Sequence, residues 1–271
     1  MNNIYVTILG SGTCVPCLKR SACSLLMETG RSKLLFDCGP GTMRRLLEAG
    51  VEIYDISFIF LSHFHPDHSS ELIPFLFANK YPDISRRKIP LTIAAGRGFS
   101  DFFQGLKKVY KDWIELPSGL FNIIEMDNKN PDFKVFDDFK LNTMPVEHND
   151  ESIAFRITND SGVSAVYSGD TDYSENLIKL SKDANLLICE SALPDALKVK
   201  GHLTPSLAGK IAEQADVKNL VLTHFYPECG QADIKKECSK TYSGSLFLAQ
   251  DLMKINTGLN EILSDKSGCP Q

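Results

Sequence analysis

The sequence lacks an apolar run long enough to cross a membrane. A membrane helix needs about 18 consecutive apolar residues, whereas the longest apolar stretches of this 271-residue chain, such as residues 72–78, have the size of a core element. The N-terminus also lacks the basic region, apolar region and small-residue cleavage site of a secretion signal. These absences exclude a transmembrane protein and lead us to expect a cytoplasmic one.

Low-complexity segments and Pro/Ser-rich linkers are missing too. With 43% hydrophobic and 23% charged residues, the chain is neither disordered nor fibrous. Its net charge of −5 argues against electrostatic binding of nucleic acid, and the short basic runs at residues 86–88 and 107–108 are typical of solvated faces. The eight cysteines are expected to be free thiols, because a cytosolic compartment keeps them reduced.

Hydrophobic periodicity predicts short strands alternating with helices. Strands are predicted at residues 4–9, 23–28, 33–37, 56–62, 89–94, 121–125, 133–144, 152–158, 164–168, 186–189 and 220–223. Helices are predicted at residues 41–49, 69–79, 99–113, 174–182, 205–215 and 232–238. The order favours an α/β (α+β) fold in which helices flank two sheets, as a single domain over residues 1–271.

Histidine is scarce, and its distribution is the strongest functional signal. Three of the six histidines lie in Ser62-His63-Phe64-His65-Pro66-Asp67-His68, directly after an apolar strand. Imidazole nitrogen and carboxylate oxygen are the ligands that zinc takes, and a loop can direct toward one point ligands that a strand would divide between its faces. The cluster therefore predicts a metal site.

The number of ligands predicts two ions. A metal ion takes three or four protein ligands, so a cluster of four with further histidines elsewhere implies one ion on His63 and His65 and another on Asp67 and His68. Zinc is expected, with manganese or iron as alternatives, because histidine and carboxylate ligands do not fix the metal. The other histidines each lie at an element end or a turn: His148, His202 and His224.

A carboxylate can bridge two such ions. The best candidate is Asp170 in the turn Gly169-Asp170-Thr171, where the missing Cβ of Gly169 allows the backbone to approach closely. Asp172 is the competing carboxylate.

These motifs, in this chain order, resemble the metallo-β-lactamase superfamily of di-metal hydrolases. Within it, the segments Leu9-Gly10-Ser11-Gly12-Thr13 and Phe36-Asp37-Cys38-Gly39-Pro40-Gly41-Thr42 are similar to the N-terminal signatures of the ribonuclease Z-like phosphodiesterases. The resemblance implies the metallo-β-lactamase fold, a four-layer αββα sandwich of two mixed sheets flanked by helices. It also implies the ligand sets His63, His65 and His148 on one ion, and Asp67, His68 and His224 on the other, with Asp170 bridging.

The resemblance further implies a phosphate-contacting histidine paired with a glutamate. His202 and Glu190 stand in the matching places, although Leu203 replaces the usual serine. In this hypothesis Asp67 orients or deprotonates the attacking hydroxide, and His202, held by Glu190, neutralises the pentacovalent phosphorus or protonates the leaving oxygen. Arg20 is expected to contact a substrate phosphate.

The sequence thus predicts a di-zinc hydrolase that cleaves a phosphodiester by metal-bridging hydroxide. Its expected substrate is a small phosphodiester or a short RNA, with no DNA or membrane partner, and relatives of this kind are commonly homodimers. Three alternatives stay open: a tRNA 3′-processing endoribonuclease, an acyl hydrolase acting on a lactone or thioester, and a flavin-coupled relative using iron. The arm with which tRNA-processing relatives grip their substrate is missing from its usual place, since residues 149–169 predict only two strands and a turn.

Overall fold

The strands form two mixed sheets in residues 3–258 and 261–263, the part of the chain that this computed structural model describes. The strands are β1 (Tyr5–Gly10), β2 (Ser24–Thr29), β3 (Ser32–Phe36), β4 (Phe58–Leu61), β5 (Leu91–Gly96), β6 (Phe121–Met126), β7 (Asp132–Val135), β8 (Phe139–Pro145), β9 (Ile153–Asn159), β10 (Ser164–Tyr167), β11 (Leu186–Glu190), β12 (Asn219–Thr223), β13 (Ser245–Leu248), β14 (Lys254–Asn256) and β15 (Glu261–Leu263). One sheet has the order β15-β14-β1-β2-β3-β4-β5-β6 and the other β13-β12-β11-β10-β9-β8-β7.

The described residues also form seven α-helices. They are α1 (Thr42–Glu48), α2 (Pro66–Ser69), α3 (Leu72–Lys80), α4 (Phe99–Tyr110), α5 (Glu175–Ser181), α6 (Pro205–Gln214) and α7 (Ile234–Cys238). None of the helices in this part of the chain is long and apolar enough to cross a membrane.

The alternation of side chains along the strands produces the layers. In β3 and β4, Phe36 and Phe60 point to the second sheet, where the ring of Phe60 lies 5.5 Å from that of Phe155 on β9. Their strand neighbours, such as Ile59, point the other way and pack with Phe75 of α3 in a separate apolar cluster. Because successive residues of a strand face opposite sides, one chain segment serves both layers, which confirms the predicted sandwich of two mixed sheets flanked by helices.

Parallel pairing places the functional loops at one edge of the sandwich. Strands β3, β4, β5 and β6 run parallel in the first sheet, and β10, β11, β12 and β13 run parallel in the second. Parallel strands end at the same edge, so the loops after β4, β10 and β12 deliver His63, Asp170 and His224 to one place, and β11 ends there at Glu190.

Several predicted elements have different bounds. The single strand predicted over residues 133–144 is a hairpin of β7 and β8, closed by a hydrogen bond from Phe136 N–H to Phe139 O of 2.9 Å. The helix predicted over residues 99–113 ends at Tyr110, because Lys111 adopts a left-handed φ of 53° and a short 3₁₀ turn follows. The predicted helix over residues 69–79 is α3, and a separate single turn, α2, precedes it.

Candidate metal centre

The loop after β4 is shaped to point several ligands at one place. His63 and His65 precede the single-turn helix α2, which begins at Pro66 and carries Asp67 and His68. Proline suits this first helical position, because its missing N–H would have no intrahelical partner there. The loop and this short turn place all four candidate ligands in neighbouring groups at one edge of the sandwich.

One group of ligand atoms comes from both sheets. His63, His65, His148 and Asp170 each bring an imidazole nitrogen or carboxylate oxygen within 4.8 Å of the others. Nδ1 of His65 lies 3.3 Å from Nε2 of His148, and Nε2 of His63 lies 3.7 Å from Oδ2 of Asp170. The spacing suits a divalent ion bound between these residues.

A second group lies on the other side of Asp170. Asp67, His68 and His224 have ligand atoms within 4.8 Å of one another. The Nε2 atoms of His68 and His224 lie 3.3 Å from Oδ2 and 3.4 Å from Oδ1 of Asp170, respectively. Asp170 therefore stands between the two groups, where a bridging carboxylate belongs. His224 has a left-handed φ of 60°, a conformation that costs energy in a non-glycine residue and is concentrated at functional sites.

The buried carboxylate of Asp37 fixes the orientation of two histidines. Its Oδ2 accepts hydrogen bonds from His68 Nδ1–H at 2.7 Å and from the Ser62 hydroxyl at 2.8 Å. Because the Ser62 hydroxyl donates its proton to Asp37, the hydroxyl oxygen acts as the acceptor of a hydrogen bond from His63 Nδ1–H at 3.0 Å. Both histidines thus carry a proton on Nδ1, so Nε2 is the nitrogen that faces the centre.

The residues fit a pair of metal ions. Nε2 of His63 and Oδ1 of Asp170 are buried and have no hydrogen-bond partner in the described part of the chain. Burial keeps the pKa of His63 well below its usual value, so the imidazole is neutral. Burial alone would raise the pKa of Asp170, but His224 and His68 hold it well below its usual range, so the carboxylate is ionised. Buried lone pairs without a proton donor are costly unless a cation binds them.

Glu190 and His202 form a hydrogen-bonded pair beside the centre. His202 Nδ1–H donates to Glu190 Oε1 at 2.9 Å, and the same nitrogen lies 3.9 Å from Oδ2 of Asp170. Burial alone would lower the pKa of His202, but the hydrogen bond and charge of Glu190 raise it to about 9. Glu190 is itself held by backbone N–H groups of Thr171 at 2.8 Å and Ala192 at 3.2 Å. The pair therefore places an imidazole whose charged form is favoured by Glu190 next to Asp170.

Two other candidate residues have structural partners. The Arg20 guanidinium donates through Nη1 to Ser11 Oγ and, at 2.7 Å, to Ala249 O, so this part of it is engaged within the protein. The carboxylate of Asp172 points away from the two ligand groups and accepts from Lys198 at 2.8 Å. Asp170, and not Asp172, therefore has the bridging place.

Two cavities adjoin the centre. A cavity of about 690 Å³ reaches Asp67 and is also lined by Arg44 of α1. A second cavity of about 420 Å³ is lined by Tyr226, whose ring lies 6.1 Å from that of His224. Arg20 lines both cavities, so its loop separates them. The space is open enough for an extended substrate to reach the centre.

Comparison with known proteins places this architecture among related chains. The family model described as the beta-lactamase superfamily domain matches residues 32–225. Ribonuclease Z 1 of Schizosaccharomyces pombe is 32% identical over 273 aligned residues, which cover 87% of this chain and 33% of the yeast protein. The chain thus spans about a third of the length of that relative.

Two solved structures share the whole fold. The metallo-beta-lactamase fold protein YhfI from Bacillus subtilis matches with a TM-score of 0.80 and 24% identity, covering 94% of this chain and 99% of its own. The short form of human tRNase Z matches with a TM-score of 0.76 and 26% identity, covering 93% and 98%. Both comparisons therefore extend over nearly the full length of each chain.

Proposed function

This chain belongs to the beta-lactamase superfamily and is related to ribonuclease Z, and from that premise we propose that it hydrolyses a phosphodiester at a centre of two metal ions. His63, His65 and His148 would hold one ion and Asp67, His68 and His224 the other, with Asp170 shared between them. Such ions would supply Lewis acidity and would activate a water molecule for attack near neutral pH. Zinc suits this donor set of imidazole and carboxylate groups, which manganese and iron also accept.

The observation that carries the proposal is the Glu190–His202 pair. Attack at phosphorus builds negative charge on the phosphoryl oxygens, and a fixed cation stabilises that charge in a site shielded from water. The hydrogen bond from His202 to Glu190 holds the imidazole beside Asp170, where it can contact a phosphoryl oxygen or give a proton to the leaving oxygen. Attack at a planar carbonyl builds less negative charge than attack at phosphorus, so a fixed cation favours a phosphodiester over an acyl substrate.

Asp67 has the position of a proton acceptor. Its Oδ2 lies 3.7 Å from His224 Nε2 and 3.8 Å from His68 Nε2, and the residue lines the larger cavity. A carboxylate at the boundary between ligands and cavity can orient an attacking water by accepting its proton. Arg20, at the junction of the two cavities, would contact the substrate with the part of its guanidinium that Nη1 does not engage.

The segment between His148 and Asp170 supports a proposal for the size of the substrate. Strands β9 and β10 form a simple hairpin there, with Ser164 paired to Thr158, and no protruding arm is inserted. The relatives named ribonuclease Z favour an RNA substrate, and without the arm we propose a small phosphodiester or a short RNA in place of whole tRNA. Homodimer formation and a cytoplasmic location stay predictions from the sequence.

The test is a comparison of substrate classes. Protein stripped of metal and reconstituted with zinc or manganese is assayed on a chromogenic phosphodiester, a lactone, a thioester and a tRNA precursor, with Asp170→Ala as the control. We expect metal-dependent cleavage of the diester, none of the acyl substrates, and loss of turnover in the control. Preferential acyl hydrolysis, or no diester cleavage with two ions bound, would contradict the proposal, and cleavage of the tRNA precursor at its 3′ side would establish the tRNA-processing alternative.

A further inference from the structure

Asp172 lies two residues beyond the bridging position, yet its carboxylate faces the loop that carries His202. Oδ2 of Asp172 accepts hydrogen bonds from Gly201 N–H at 2.9 Å and from the Lys198 ammonium at 2.8 Å. Its own backbone N–H donates to Glu147 O at 2.7 Å. One residue therefore connects the turn after β10 to two other segments of the site.

Gly201 is also hydrogen-bonded to a candidate metal ligand. Its carbonyl accepts a hydrogen bond from Nδ1 of His148 at 2.8 Å. Because a carbonyl can only accept, Nδ1 carries the proton, and the lone pair of Nε2 faces His65 and Asp170. Gly201 has a φ of 86°, and a Cβ at this position would lie 3.2 Å from His148 Nδ1. Both the backbone conformation and the close contact therefore favour glycine.

We infer that Asp172 is a positioning residue of the metal centre, which holds Gly201 in place so that its carbonyl sets the tautomer and ring orientation of His148. The second connection acts on the same ligand, since the Asp172 N–H fixes Glu147, the residue before His148. Hydrogen bonds to the outer nitrogen of a ligating histidine tune metal affinity. The inference rests on the metal centre of the proposed function and is independent of which substrate is cleaved.

The geometry attributes the positioning of Gly201 to the acceptor oxygen of Asp172 and not to the negative charge of Asp172. The side chains of Lys198 and Asp172 are 31% and 27% exposed, and exposed ion pairs contribute little. The hydrogen bond to Gly201 N–H, by contrast, constrains the residue whose carbonyl contacts His148. Asparagine at position 172 keeps an acceptor oxygen for Gly201, whereas alanine removes it.

The loop that carries Gly201 offers a matched control. Asp195 accepts hydrogen bonds from Ser206 N–H at 3.1 Å and from Lys240 at 3.4 Å, and its side chain is 26% exposed. It thus anchors the same loop with the same kinds of partner but has no contact with Gly201 or His148 among the described residues. Asp195→Ala should loosen the loop and leave the hydrogen bonds from Gly201 to Asp172 and from His148 to Gly201 in place.

The test measures metal binding in Asp172→Ala, Asp172→Asn, Lys198→Met and Asp195→Ala. Zinc affinity is measured by competition with a chromophoric chelator, and the ligand field is followed in the absorption spectrum of the cobalt-substituted protein, both without substrate. We expect Asp172→Ala to weaken one of the two ions about 10- to 100-fold and to change the cobalt spectrum. Asp172→Asn should restore most of the affinity, and the other two variants should bind as the parent does.

Two results would overturn the inference. One is wild-type affinity and spectrum in Asp172→Ala, and the other is an equal loss in Asp195→Ala, which would mean that general loosening of the loop is responsible. An unfolded Asp172→Ala protein leaves the decision to Asp172→Asn and Lys198→Met, since a role of the charge predicts equal losses in both. A protein that binds two ions but cleaves no diester would contradict the proposed function while leaving this test intact.

Discussion

Replacing His202 by alanine should lower turnover strongly while the metal ions stay bound. The side chain hydrogen-bonds to Glu190, and its Nδ1 is 3.9 Å from the nearest oxygen of Asp170. A positioned acid of this kind contributes about 100- to 10,000-fold to the rate, so His202→Ala should lower kcat on a phosphodiester by that factor. Seven other candidate ligand side chains remain, and the metal content should equal that of the parent.

Glu190→Gln tests whether the two residues act as a unit. The parent carboxylate accepts from three donors, namely His202 Nδ1–H and Thr171 N–H on Oε1 and Ala192 N–H on Oε2. A glutamine has one acceptor oxygen, so at least one buried N–H then faces an NH₂ group. An unsatisfied buried donor costs about 1–3 kcal/mol of stability, and the lost charge lowers the pKa of His202, which reduces kcat.

The assay combines initial rates with a double-mutant cycle. In the His202→Ala background, Glu190→Gln should lower kcat little further, because the imidazole that Glu190 supports is already absent. The loss of stability caused by Glu190→Gln, measured by urea unfolding, should persist in that background. Metal content is measured in parallel for each variant. Additive rate losses would refute the idea that Glu190 acts through His202, and loss of an ion from His202→Ala would make His202 a metal ligand.

Three further predictions concern the support of the centre. Asp37→Asn should weaken metal binding about 10- to 100-fold in a chelator competition, since the carboxylate that orients His68 loses its charge; unchanged affinity would remove Asp37 from this role. Gly169→Ala should cost at least about 1 kcal/mol in urea unfolding, because φ is 58° and a Cβ would lie 2.5 Å from that of Ser62; unchanged stability would show that the turn relaxes. Removing metal with a chelator should lower Tm, by the equivalent of about 4 kcal/mol where free metal exceeds its Kd a thousandfold; an unchanged Tm would indicate that no ion is bound.

The local part of the site could be predicted because its ligands are close in sequence. The four residues His63, His65, Asp67 and His68 lie within six consecutive positions after an apolar strand, and the chemistry of their side chains alone indicates a metal. The assignment of His148 to the first group needed the family resemblance, because the contact spans 83 positions from His65 and depends on how the two sheets pack.

The supporting hydrogen bonds could not be predicted from the sequence. Asp37 follows β3 and Asp172 follows the bridging position, but nothing in the local pattern shows that one contacts His68 and the other Gly201. The prediction of Arg20 as a phosphate contact rests on the family resemblance, whereas its partners Ser11 and Ala249 are tertiary neighbours that the resemblance does not give. Such contacts depend on the packing of distant segments, which periodicity does not describe.

The fold could be predicted better than the limits of its elements. Strands β13, β14 and β15 are not among the predicted elements; each has only three or four residues, which leaves little length in which a pattern can show. The prediction of one strand over residues 133–144 was wrong although the turn between β7 and β8 contains Asp137 and Asp138, and aspartate is a residue that favours turns. The apolar runs that precede His63 and His224, by contrast, predict strands because they are continuous in the sequence, and the structure has β4 and β12 there.

The most direct measurement of the central claim is a metal titration of the stripped protein that records bound zinc and diester cleavage together. We expect that two ions bind per chain and that the rate rises with occupancy of the complete centre, while Asp170→Ala, which lacks the shared carboxylate, stays inactive. Full activity with a single ion, or diester cleavage in Asp170→Ala equal to that of the parent, would contradict it.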